Sequence, residues 1–279
     1  MGKIIWLASY PKSGNTWIRA FLANLFADSE QLVGINALDR FCHSLTSRAP
    51  FDVVAGRPTS EMSPYEVLQL RDKVQRALCE TFSESVFLKT HSRFGSQFGL
   101  PLIAPDCTAG AIYIVRDPID VAASAANHYG VSAKDMVQHM ADPDFRTAPS
   151  DKHVTEFIGS WSDNVASWTT PPHPKIRVLR YEDVFASPET VYAELVAFLG
   201  LKPTSEQMDR ALRYSQFAAL AEQERLMGFK ERPAHAPAFF RRGRPGEGRE
   251  TLDPELIGSI IAAHGRQMER FGYLANGAT

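Results

Sequence analysis

The sequence predicts an α/β fold: a mostly parallel central sheet flanked by helices, with a phosphate-loop architecture at its first strand-to-helix turn. Three observations carry this expectation. Residues 6 to 26, WLASYPKSGNTWIRAFLANLF, join an apolar run to a helical repeat through a turn of small and polar residues. Further short strand-like runs at 86–88, 111–115 and 176–181 each close in charged or polar residues. Segments with helical spacing lie between them, the alternation of a parallel sheet built from strand–helix units.

Residues 3–9 read as a buried strand, and after the turn Trp17, Ile18, Phe21, Leu22, Leu25 and Phe26 recur at three- and four-residue intervals, while Arg19 and Asn24 fall elsewhere. The helix therefore starts at the loop. Its unpaired N–H groups and positive dipole end suit a phosphate or sulfate oxyanion beside Lys12 and Gly14; the alternative is an ordinary turn with a solvated lysine. Residues 28–65, with Gly34, Pro50, Gly56, Pro58 and Pro64, read as a loop-rich excursion that covers a substrate pocket. A helix follows from the cap Ser63 and Pro64 to about Phe82.

Val86–Leu88 forms the next strand, ending in Lys89-Thr90-His91. Ligands of open α/β sheets sit off the carboxyl ends of strands, so Lys89 and His91 can face the crevice of the phosphate loop; a strand-end histidine is also the pattern of a simple hydrogen-bonded residue. Ala111–Val115 is followed by Arg116-Asp117-Pro118, where Asp117 caps and Pro118 opens a helix carrying Ser124. Arg116 and Ser124 then give a cation and a hydroxyl on one rim, or Arg116 forms a surface pair with Asp117 or Asp120. Residues 127–152 have the composition of a mobile wall or lid, and a helix is expected from about Val154 to Thr169. Ile176–Tyr181 is a strand, Ser187-Pro188 opens a helix that stops at Gly200, a short helix covers 204–213, and Asp253-Pro254 opens the last one. In 228–250 the arginines 241, 242, 244 and 249 crowd Gly243 and Gly246, where a backbone can approach an anion and guanidinium groups can take it in forked hydrogen bonds.

The chain has 279 residues, 44% hydrophobic and 22% charged, which fits one large domain, 1–279. A net charge of −2 gives no general polyanion-binding surface, so nucleic acid is not an expected partner. Cys42, Cys79 and Cys107 are odd in number and widely spaced, which fits reduced thiols and a cytoplasmic location. No apolar run approaches the roughly 20 residues that span a bilayer, so no membrane partner is expected. His128 and His139 lack a third ligand at recognisable spacing, and no metal is assigned.

Taken together, these residues resemble the cytosolic-type sulfotransferase family, which transfers a sulfuryl group from 3′-phosphoadenosine 5′-phosphosulfate (PAPS) to a hydroxyl or amine. YPKSGNTW at 10–17 looks like the family's 5′-phosphosulfate loop, with Asn15 where many members have Thr, and KTH at 89–91 like its catalytic strand end. RDPIDVAASAANHYG at 116–130 is similar to the 3′-phosphate motif, RYEDV at 180–184 and the Ser215, Phe217 pair to adenosine-binding positions, and FFRRG at 239–243 to a second 3′-phosphate segment. WLASYPKSGNTW and GSWSDNVASW at 159–168 are also similar to bacterial members that act on natural products.

The resemblance implies roles. His91 accepts the acceptor's proton, Lys12 and Lys89 stabilise the departing oxygen, and Ser124 holds the loop lysine back until acceptor binds. Arg116, Ser124, Arg241, Arg242 and Gly243 take the 3′-phosphate, Ser13, Gly14, Asn15 and Thr16 the 5′ side, and Trp17, Tyr181, Ser215 and Phe217 the adenosine. The implied acceptor is a small molecule or natural product, with no metal and no oligomeric state implied. One departure stands out: the usual G-x-x-G-x-W-K near the C-terminus is here Gly243, Gly246, Gly248, Arg249, so the tryptophan is missing and the lysine replaced. The remaining alternatives are an ATP-dependent small-molecule kinase, for which G-x-x-x-x-G-K-[ST] is absent, and a non-catalytic nucleotide-binding module.

Overall fold

The structure, a computed structural model, describes residues 2–27, 30–170, 173 and 175–274; the remaining residues of the expected 1–279 domain, and the first two of the 28–65 excursion, lie outside these. The chain opens with β1 (Ile4–Ser9) and α1 (Asn15–Phe26), as the apolar patterns predict. The next segment is ordered where a loop was expected: α2 (Leu38–Phe41), β2 (Cys42–Ser44) and α3 (Arg48–Ala55). β2 is only three residues long and has no apolar run; it exists because it pairs parallel with a strand that the sequence does show, Cys42 against Phe87 and Ser44 against Lys89.

α4 (Pro64–Thr81) starts in a capping box, the Ser63 hydroxyl accepting from the Glu66 N–H. β3 (Val86–Thr90) follows, then a small hairpin of β4 (Ser96–Gln97) and β5 (Leu100–Pro101), and the long β6 (Thr108–Val115). α5 (Pro118–Tyr129) is capped by Asp117, whose carboxylate accepts from the Ile119 N–H at 2.9 Å. The expected mobile wall contains α6 (Ala133–Ala141), capped by Ser132.

The helix expected from Val154 begins only at α7 (Trp161–Thr169). Gly159 sits at φ 73°, Ser160 caps the Asp163 N–H, and residues before them run extended, with Phe157 bridged to Arg146. After β7 (Ile176–Arg180) come α8 (Tyr181–Ala186), α9 (Pro188–Phe198), α10 (Ser205–Ser215), α11 (Phe217–Met227), α12 (Glu247–Thr251) and α13 (Pro254–Arg270).

The five-stranded sheet runs β2-β3-β1-β6-β7, parallel throughout. β1 alternates across it. Ile4, Trp6 and Ala8 face a core shared with Leu68 of α4, Val121 of α5, Trp161 and Trp168 of α7 and Ile260 of α13; Leu7 faces the other core with Phe21 of α1, Tyr192 of α9 and Ala211 of α10. Both faces are thereby covered by helices. The winding reverses at β1, between β3 and β6, and a crevice opens beyond the carboxyl ends of these three strands. The three cysteines are buried and unbridged. Among the described residues no helix is long and apolar enough to cross a membrane.

Candidate active site

The floor of the crevice is the loop between β1 and α1. Lys12 takes φ 67°, and Gly14 caps α1 at φ 102° with no side chain closing the helix start. A Cβ on Gly14 would lie 2.7 Å from the Tyr181 ring, so both conformation and contact require glycine there. Asn15 turns its amide inward, donating to Leu7 O at 2.9 Å and to the Ser9 hydroxyl at 3.4 Å, so its N–H is what it offers a ligand. The Ser13 hydroxyl is buried and has no hydrogen-bond partner among the described residues. Arg116 braces the loop from β6, donating from Nη1 to Lys12 O at 3.2 Å.

His91 is fixed on three sides. Nδ1 lies 2.8 Å from the Ser9 carbonyl oxygen, which can only accept, so Nδ1 carries the proton and Nε2 keeps its lone pair. Its backbone N–H donates to the Glu156 carboxylate at 2.5 Å, and its carbonyl accepts from the Asn164 amide at 2.9 Å. Burial and the nearby Lys89 ammonium pull the imidazole down to about 4, so it is neutral and able to accept a proton at pH 7.

Positive charge converges on the same place. Burial and the facing charges of Lys89, Arg116 and Arg241 pull the Lys12 ammonium down to about 7. Four cations drawn together at this cost in protonation form a site for an anion of several charges, and the open start of α1 fits the same ligand. Lys12 Nζ lies 3.7 Å above the Phe239 ring; among the described residues no hydrogen bond joins it to Ser124, which lines the crevice nearby. Arg116 does pair with Asp120, at 3.5 Å, with the two side chains 8% and 1% exposed; the pair is buried at the crevice rather than on the surface.

Three aromatic positions gather at the other end. Trp17 meets Tyr181 edge to face at 5.6 Å, and Arg116 stacks 4.2 Å over the Tyr181 ring. A Cβ on Gly243 would fall 2.1 Å from the Phe217 ring, which brings the 239–243 segment directly onto the start of α11. Arg241 and Arg242 lie 3.3 and 3.7 Å from the Glu247 carboxylate. Ser215 is not on the crevice: it is buried at the end of α10 and donates its hydroxyl to Leu212 O at 3.2 Å. Together these groups line one cleft of about 1100 Å³, which includes Lys12, Gly14, Asn15, Thr16, Trp17, Lys89, His91, Arg116, Ser124, Tyr181, Phe217 and Arg241 to Gly243, but not Ser13 or Ser215.

The sulfotransferase domain profile matches residues 3–272. The chain belongs to the sulfotransferase family. Relatives include sulfotransferase 1E1 of Cavia porcellus, 25% identical over 282 residues that cover 94% of this chain and 82% of that one, and flavonol 3-sulfotransferase of Flaveria bidentis, 24% identical over 92% and 78%. Solved structures with the same fold include mouse sulfotransferase SULT7A1 complexed with PAP (TM-score 0.61, 18% identity, 95% of this chain and 84% of that one). Retinol dehydratase in a complex with retinol and PAP aligns at a TM-score of 0.63 with 19% identity, covering 95% and 81%.

In this sulfotransferase the missing tryptophan has a structural answer. Gly248 stands in its place, where a Cβ would lie 2.2 Å from Ile119 O, so α12 packs backbone to backbone on α5. Asp120 accepts from both the Gly246 and Gly248 N–H groups at 2.8 Å, and Arg249, in the lysine position, donates to Tyr273 O at 3.0 Å.

The remaining wall of the sulfotransferase cleft comes from the 28–65, 127–152 and 228–250 segments, through residues such as Ser44, Thr46, Arg48, Tyr129, Lys152 and Glu231. Arg48 spends its guanidinium on Ser150 O, His153 O and the Thr59 hydroxyl, which pins the 150–153 stretch against the start of α3. Several supporting groups are not read from the sequence as site residues: Glu156 and Asn164 behind His91, the latter inside the 159–168 segment, and Glu231, which lies 2.9 Å from Arg19 and 3.6 Å from Lys89. Arg19, read as off the apolar face of α1, is buried all the same, with a side chain 2% exposed. Breaking a buried pair of this kind by removing one partner costs about 3–5 kcal/mol.

Proposed function

We propose that this sulfotransferase uses PAPS to sulfate a hydroxyl of a small-molecule acceptor, with His91 as the base and Lys12 and Lys89 as the cations at the transfer point. Bound, the phosphosulfate supplies the sulfuryl group, which passes from the bridging oxygen to the acceptor oxygen. His91 takes the acceptor's proton on Nε2, while Lys12 and Lys89 offset the charge that develops on the departing oxygen. Ser124, with Arg116, Arg241, Arg242 and Gly243, takes the 3′-phosphate. The N–H groups of Gly14, Asn15 and Thr16 serve the 5′ end, and Trp17, Tyr181 and Phe217 hold the adenosine. The observation that carries this reading is the His91 geometry: the Ser9 carbonyl fixes the tautomer, and the imidazole stays neutral beside Lys89. The protein works as one domain in the cytoplasm, a location supported by its buried, unbridged cysteines.

Calorimetry with PAP tests the donor half of the proposal. Arg116→Ala removes the guanidinium that braces Lys12 and faces Tyr181, and a hydrogen bond to a charged group is worth roughly 1.5–3 kcal/mol. Affinity for PAP should therefore fall about 10- to 100-fold, with a much smaller change in kcat at saturating PAPS. Unchanged affinity would remove Arg116 from the donor site.

A further inference from the structure

We propose that Glu231, itself held by Arg19, is the positioning residue for Lys89, fixing where that ammonium sits at the transfer point. The inference rests on the reading of Lys89 as a transfer-site cation. Glu231 belongs to the 228–250 segment, far in sequence from both partners, and its carboxylate enters the cleft between α1 and the end of β3. Arg19 Nη1 lies 2.9 Å from Oε1 and 3.1 Å from Oε2, and Lys89 Nζ lies 3.6 Å from Oε2. The flanking residues anchor the segment: the Lys230 N–H donates to Asn36 Oδ1 at 2.8 Å and its ammonium pairs with Asp39, while Arg232 donates to Pro237 O at 2.8 Å.

A carboxylate so placed does two things. It gives the flexible lysine stem one preferred position, because the shorter, forked contact to Arg19 fixes the carboxylate and the longer one leaves Lys89 free to share its charge with a ligand. It also offsets the crowd of cations. The titratable groups that interact with Lys89 besides Glu231 are Lys12 on the loop, His91 at its own strand end, Cys42 on β2, His128 on α5 and His153 on the segment before α7, while Arg19 acts on Glu231 and Glu156 on His91. Burial alone would raise the Glu231 carboxyl, but Lys89 and then Arg19 outweigh it and hold it at about 2, so the charge is present throughout the working range. Its charge in turn raises both Lys12 and His91.

The test compares Glu231→Gln, Glu231→Asp and the double variant Arg19→Met/Glu231→Leu with wild type, reading kcat, PAP affinity, melting temperature and the pH dependence of kcat/KM. Glu231→Gln should lower kcat roughly 10- to 100-fold, the cost of misplacing a reacting group by about 1 Å. PAP affinity should stay at the wild-type value, the alkaline limb should move to lower pH because Lys12 loses a favourable neighbour, and Glu231→Asp should recover part of kcat. In the double variant an apolar pair replaces the buried ion pair, which keeps the fold, and kcat should match that of Glu231→Gln. Wild-type kcat in Glu231→Gln or in the double variant overturns the proposal. So does a loss of kcat in proportion to PAP affinity with an unmoved alkaline limb, which is the mark of a purely structural carboxylate. Lys89→Met, run in parallel, separates the two readings: wild-type kcat there removes the role of Lys89 itself, whereas impaired Lys89→Met with normal Glu231→Gln rejects Glu231 alone.

Discussion

Replacing His91 by alanine should lower kcat by about 10²–10⁴-fold, the usual contribution of a positioned general base, while PAP binds as in wild type. The separation of effects follows from how the residue is held. The strand end is fixed through backbone groups, the His91 N–H on Glu156 and its carbonyl on the Asn164 amide, and both contacts survive removal of the ring. What is lost is the imidazole, whose Nδ1–H is committed to Ser9 O and whose Nε2 is the basic atom. Single-turnover assays with PAPS and an alcohol acceptor, alongside calorimetry with PAP, check both halves. Near-wild-type sulfate transfer in His91→Ala would refute the assignment of the base.

Lys12→Met should cost about 10²–10³-fold in kcat, comparable to the loss of one preorganised donor at a developing negative charge. Methionine keeps the unbranched stem and can still pack on the Phe239 ring that receives the ammonium at 3.7 Å, so the substitution removes charge with little change of shape. The loop itself is held through the Lys12 carbonyl by Arg116, a contact that does not depend on the side chain. PAP affinity should therefore fall far less than kcat. Equal losses in the two quantities would reduce Lys12 to a ground-state phosphate ligand.

Much of this site was legible because its motifs are local. The strand–loop–helix at residues 4–26, the Lys89–His91 strand end and the Arg116 strand end each sit within a few residues of their own apolar pattern, and the parallel sheet places all three at one crevice. Direction was harder to read than position: Ser13, the Asn15 amide and Ser215 belong to the motifs, yet their polar atoms turn into the protein. The supporting shell was not legible. Glu156 lies 65 residues from His91, and Glu231 lies 212 from Arg19, so no spacing rule links them. The same holds for the fold. β2 depends on its neighbour for existence, the helix expected from Val154 is delayed by Gly159 and the Ser160 cap, and α11 follows α10 with only Gln216 between them.

Transfer requires a neutral His91, near 4, and a charged Lys12, near 7, in the free enzyme, and kcat/KM for PAPS against pH reads that state. Below about pH 4 His91 is protonated and cannot accept a proton; above about pH 7 Lys12 loses the charge that stabilises the departing oxygen. With an aliphatic alcohol as acceptor, kcat/KM for PAPS should show an alkaline limb near 7 in wild type that Lys12→Met loses, while the acid side carries the titration of the donor's own 3′-phosphate, about 6, above that of His91 near 4. A profile that stays flat to high pH, or an alkaline limb that persists in Lys12→Met, would contradict it.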